Sequence, residues 1–145
     1  MKSEPDAYSI NDLERDKMEP WDGIRNYQAR NLIRDDMQIG DKAFFYHSSC
    51  KVPAIVGIMQ IASAAYPDPT QFDPKSKYYD EKSPEEAPRW LLVDVAFKRK
   101  TERPITLTEM KAHPGLVDFR LTMRGNRLSI FPVSEAHWQL ILGLE

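Results

Sequence analysis

Cysteine is nearly missing from this chain: Cys50 is the only one, which excludes an internal disulfide and a multi-cysteine zinc site. That scarcity fits a reducing compartment and gives the expectation of a cytoplasmic protein. No apolar run approaches the roughly 18 residues that a membrane-crossing helix needs, so no membrane partner is expected. Charged and helix-breaking residues begin at Lys2, which leaves no signal-peptide pattern. The six glycines build no phosphate-cradling loop. His47, His113 and His137 lack ligand spacing, so neither a metal nor a cofactor is expected. An excess of one charge is absent too, because 20 basic and 22 acidic residues leave a net charge of −2. Such a balance argues against a strong non-specific grip on nucleic acid.

The charge is unevenly spread, however. Positions 98–127 carry eight Lys or Arg against three acids, whereas the remainder carries 12 basic and 19 acidic residues. One region can therefore meet a phosphate backbone, or simply form a solvated face. With 145 residues, 41% hydrophobic and 29% charged, the chain suits one domain, 1–145, with one core.

What the chain has in abundance is polar and aromatic side chains crowded into its first fifty residues. Lys2-Ser3-Glu4-Pro5-Asp6 comes first, then the stretch from Trp21 to Asn31, then Phe44-Phe45-Tyr46-His47-Ser48-Ser49-Cys50. A flat aromatic surface beside fixed donors and acceptors is what holding a planar heterocycle requires.

Local signals place these segments. Ser9 and Asp12 start a short helix over Ser9–Glu14, with Tyr8 and Leu13 as its staple. Pro20 ends regular structure before Trp21, and a second helix is expected from Arg25 to Arg34. Strands are expected over Lys42–His47, Ala54–Ala62, Trp90–Phe97 and Leu128–Val133. Thr106 with Glu109 caps a brief helix, and Ser134 caps a terminal one that stops at Gly143. Residues 66–88 contain five prolines, too many for regular structure, and a connection this long is usually functional or mobile. Strands irregularly separated by short helices suggest an α+β fold around a curved or barrel-like sheet.

The three crowded segments resemble the EVE domain, a PUA-like family related to the YTH domain. Ile55-Val56-Gly57-Ile58, Ala65-Tyr66-Pro67-Asp68, Arg89-Trp90 with Val93-Asp94-Val95, and Ile141-Leu142-Gly143-Leu144 carry the likeness onward. It spans essentially every residue. The resemblance implies a PUA-like mixed sheet of five to six strands flanked by short helices. It further implies binding of a modified base, such as 5-methylcytosine or 5-hydroxymethylcytosine, in DNA or RNA. Met1 coincides with a methionine that lies inside the family pattern, so the first strand is expected to be short.

On that reading Trp21 stacks on a flipped-out base; the alternative is a buried core tryptophan. Ser3 and Asn26 would read the base edge, or else bond local backbone and cap a helix. Tyr46 would form a second wall, Ser48 and Ser49 would bind base or phosphate, and His47 is either a contact or a structural histidine. Lys2 and Arg30 would neutralise a phosphate, and Tyr27 either edges the pocket or packs into the core. Other readings use the same residues: a Cys50–His47 hydrolase oriented by Glu4 or Asp6, an amidohydrolase like some ASCH domains using Lys2 and Glu4, or a pocket for a free nucleoside-like metabolite.

Overall fold

The computed structural model describes residues 1–145. Its frame is set by two long neighbouring strands, β4 (Ala54–Ile61) and β7 (Asp94–Thr106), paired antiparallel. β3 (Lys42–His47) lies antiparallel on the other side of β4, and β1 (Lys2–Ser3) pairs parallel with β3. β2 (Met18–Pro20) closes the opposite edge, giving the order β1-β3-β4-β7-β2. Register shifts between β3 and β4 and twice between β4 and β7 add twist and curl the sheet into a half-barrel. As expected, β1 is short, at two residues.

Strand alternation divides the interior. Phe45 points into a core with Leu13, Trp21, Ile33, Met59 and Val95, whereas its neighbours Phe44 and Tyr46 join Ile55, Ile105, Met110 and Ile141 on the other face. The first core is covered by α1 (Ile10–Asp16) and α2 (Tyr27–Asp35), the second by α3 (Leu107–Ala112) and α4 (Glu135–Leu142). Capping governs all four starts. Ser9 with Asp12, and Thr106 with Glu109, form reciprocal boxes, and Asn26 and Ser134 each accept a backbone N–H. Trp138 of α4 stacks on Phe44 at 3.9 Å between ring centroids.

Four segments differ from the sequence reading. The helix expected from Arg25 starts at Tyr27, because Asn26 takes an extended cap conformation. The strand expected over Trp90–Phe97 divides at Val93. Leu91–Leu92, β6, pairs with β5 (Tyr66–Pro67) as a separate ribbon, and the chain then enters β7, which runs on to Thr106. Leu128–Val133 forms no strand; Ser129 O accepts from Lys2 N at 2.9 Å, and Pro132 has no N–H to extend a ladder. Met18–Pro20, to which the sequence reading gave no element, is an edge strand, where a terminal proline is tolerated.

The proline-rich connection after β5 is braced rather than loose. Gln71, fully buried, donates to the carbonyls of Asp68 and Trp90 at 2.7 and 2.8 Å. Its Oε1 accepts from Ser83 Oγ at 2.6 Å and Trp90 N at 3.1 Å. One side chain thus satisfies both ends of the connection, as a buried polar group must be satisfied.

Candidate functional site

Trp21, Asp22 and Gly23 leave the end of β2 with three successive amides tied down. Trp21 N donates to Val93 O at 2.9 Å, Asp22 N to Pro20 O at 3.0 Å, and Gly23 N to Asp68 Oδ2 at 2.9 Å. Gly23 is needed twice over. Its φ of +84° lies in the left-handed region, and a Cβ there would sit 2.6 Å from the Tyr78 ring. Arg25 then clamps the turn to the connection after β5. Its guanidinium donates to Asp68 Oδ2 and Thr70 Oγ1, both at 3.0 Å, and to the Tyr78 carbonyl at 2.9 Å.

Asp68 is the anchor of this clamp. Burial alone would push its carboxyl up, but hydrogen bonds from Thr70, the Gly23 amide and Arg25 outweigh that cost and hold it below its ordinary value. The result fixes Tyr78 and Lys77 beside Trp21.

Between these elements opens a cleft of about 720 Å³, large enough for a nucleoside. Trp21, Tyr8 and Tyr78 are its aromatic lining, and Ser3, Ser48, Ser49 and Ser129 supply hydroxyls. Lys2, Lys77 and Arg127 line it together with Glu4, Glu19 and Asp22. None of the three cations forms an ion pair within the chain. Trp21 is both core and cleft residue: 7% exposed, edge-on to Phe45 at 5.5 Å, and part of the cleft wall. Ser3 Oγ donates to Tyr8 O at 2.5 Å, while no hydrogen bond within the chain engages the Ser48 or Ser49 hydroxyl. Burial lowers the Lys2 pKa and raises those of Glu19 and Asp22, the last also through nearby Asp68.

Of the residues singled out in sequence, the cleft brings together Lys2, Ser3, Trp21, Ser48 and Ser49. The other five lie elsewhere, each with structural work. Asn26 accepts from Ala29 N at 3.0 Å as the cap of α2. Tyr27 packs on Trp90 at 4.7 Å, and Arg30 lies over Tyr27 while donating to Arg89 O at 2.9 Å. Tyr46 is buried in the second core, where burial raises its hydroxyl to about 12. It lines a separate apolar cavity of about 320 Å³. His47 Nε2 accepts from Ile10 N at 3.1 Å, so its ring is used in seating α1. Cys50 donates to the His47 carbonyl at 3.8 Å, and neither residue lines the cleft, so the hydrolase pair is not assembled. Of the cations of the 98–127 region, Arg99 pairs with Glu145 and Arg103 with Glu109, both at 2.6 Å, Lys100 pairs with Glu14 at 3.5 Å, and Arg127 alone reaches the cleft.

Sequence reasoning did not single out Tyr8, Glu19, Asp22, Lys77, Tyr78 or Ser129 as cleft residues, and it met Arg127 only as part of the 98–127 basic region. The length of the 66–88 connection was the usable signal for Lys77 and Tyr78. Asp22-Gly23 was a turn signal beside the tryptophan.

A curled mixed half-barrel of five strands with short helices around it is the architecture of PUA-like domains, and solved structures share it closely. A Pseudomonas syringae protein superimposes with a TM-score of 0.95 at 46% identity, over 99% of this chain and 96% of that one. The EVE domain model matches residues 1–144, and the chain belongs to that family. Human thymocyte nuclear protein 1 is 41% identical over all of this chain and 72% of its own length, and the chicken protein of the same name is 43% identical over 67% of its length. The human protein has been solved in complex with DNA containing 5-methylcytosine; that structure matches with a TM-score of 0.94 at 42% identity, over 99% of this chain and 94% of the other. These relatives correct the cytoplasmic expectation, because their name places them in the nucleus. A single cysteine fits any reducing compartment and does not separate the two. No helix is long and apolar enough to cross a membrane.

Proposed function

We propose that this chain, as one domain, captures a modified base of DNA in the cleft beside Trp21 without catalysing a reaction, 5-methylcytosine being the first candidate. The juxtaposition in one cleft of Trp21 and Tyr78 with three unpaired cations carries the reading. An extruded base stacks against Trp21, with Tyr78 in place of Tyr46 as the further aromatic surface. Ser48 and Ser49 offer free hydroxyls to the nucleotide, and Lys2, Lys77 and Arg127 take the flanking phosphates. The complex of the human relative with DNA containing 5-methylcytosine supports the class of ligand.

The test is a titration with DNA and RNA strands that differ only in one cytosine, left plain, 5-methylated or 5-hydroxymethylated. Wild type prefers a modified DNA strand. Trp21→Ala loses that preference by about tenfold or more, in keeping with ~1–3 kcal/mol per stacked base. An unchanged preference in a folded Trp21→Ala protein sinks the reading, and tighter binding to the RNA series transfers it to RNA.

A further inference from the structure

Asp22 is an exposed carboxylate lining the cleft. It follows Trp21 directly, its own amide is bonded to Pro20 O, and Gly23 behind it is fastened to Asp68. No hydrogen bond or ion pair from another side chain reaches its carboxyl oxygens. The other acids of the cleft differ. The Tyr8 hydroxyl lies against Glu19 and donates to Asp16 at 3.0 Å, and Glu4, exposed as Asp22 is, lies outside the Trp21 turn. Partial burial and the nearby Asp68 raise the Asp22 pKa, against the attraction of Arg25 and Lys77.

We infer that Asp22 is the specificity-determining residue of the cleft, selecting a pyrimidine with a 4-amino group over one with a 4-oxo group. This rests on the proposed capture of a base beside Trp21. A carboxylate only accepts hydrogen bonds, so it pairs with the N4 hydrogens of a cytosine-type base and repels the O4 of thymine or uracil. The rigid turn supplies the placement: a ring stacked on residue 21 has its rim within reach of residue 22, because consecutive Cα atoms lie about 3.8 Å apart. The amino group is the recognised feature, whether or not the ring is methylated.

Two single-stranded oligonucleotides carrying 5-methylcytosine or thymine at one position isolate this feature, since the two bases differ only at C4 and the adjoining N3. Wild type is expected to prefer the 5-methylcytosine strand by about tenfold, the size of one good edge contact. Asp22→Asn brings the ratio within about twofold, because an amide can turn its NH2 toward O4. Asp22→Ala does the same, with weaker binding of the 5-methylcytosine strand. Both variants should melt close to wild type, since no ion pair or hydrogen bond from another side chain is lost. Retention of the tenfold ratio in Asp22→Asn, with loss in Trp21→Ala, overturns the Asp22 assignment while leaving base capture standing. If wild type and Trp21→Ala bind both strands alike, base capture itself fails, and the assignment with it.

Discussion

Gly23 and Asp68 show how much of the cleft is decided by single atoms. Adding one methyl group in Gly23→Ala meets both a left-handed backbone and the Tyr78 ring. The expected cost is about 1–3 kcal/mol, read as a lower denaturation midpoint, together with weaker ligand binding as Tyr78 is displaced. Asp68→Ala removes the acceptor for Gly23, Thr70 and Arg25 and leaves a partly buried guanidinium unpaired; about 3 kcal/mol or more should be lost in urea unfolding. At this scale the sequence was ambiguous for a physical reason. An amide that caps a helix and an amide that reads a base present the same groups, so Asn26 gave no sign of which task it had. His47 was similar, its Nε2 serving the Ile10 amide. Trp21, between Pro20 and Asp22-Gly23, carried two readings, cleft wall or buried core tryptophan, and the structure gives it both positions: 7% exposed in the first core, with a place in the cleft lining.

The braced connection between β5 and β6 gives the cleft Lys77 and Tyr78. Its stability depends on pH through Asp68, whose folded pKa is lowered. The sign follows: its contribution is complete above the unfolded carboxylate value and is lost as pH falls through the lower, folded one. Stability measured against acid should therefore converge for wild type and Asp68→Asn only below the ordinary carboxylate range. Gln71→Ala should raise hydrogen exchange in residues 66–89 while sparing β3 and β4, because Gln71 joins the two ends of the connection. Elements with local signals, the four capped helices and β3, were readable from sequence. The break at Val93 and the pairing of Met18–Pro20 depend on partners far along the chain, which local patterns do not encode.

For the whole molecule, a net charge of −2 and a cleft edged by three unpaired cations predict local rather than general attraction to nucleic acid. Binding should weaken as salt rises. Lys77→Ala and Arg127→Ala should each lower the logarithmic salt slope by about 1 and weaken modified and plain strands alike. The overall fold was legible because polar–aromatic blocks of the family recur along the full chain; the assignment of side chains to the cleft was less so, because its lining is assembled by the curl of the sheet. Lys2, Trp21, Ser48, Tyr78 and Ser129 come from five separate stretches. No peptide cut from this sequence carries the recess by itself. Ligand capture is therefore an emergent assay of complete folding, and a synthetic segment bearing the tryptophan motif alone would be inert.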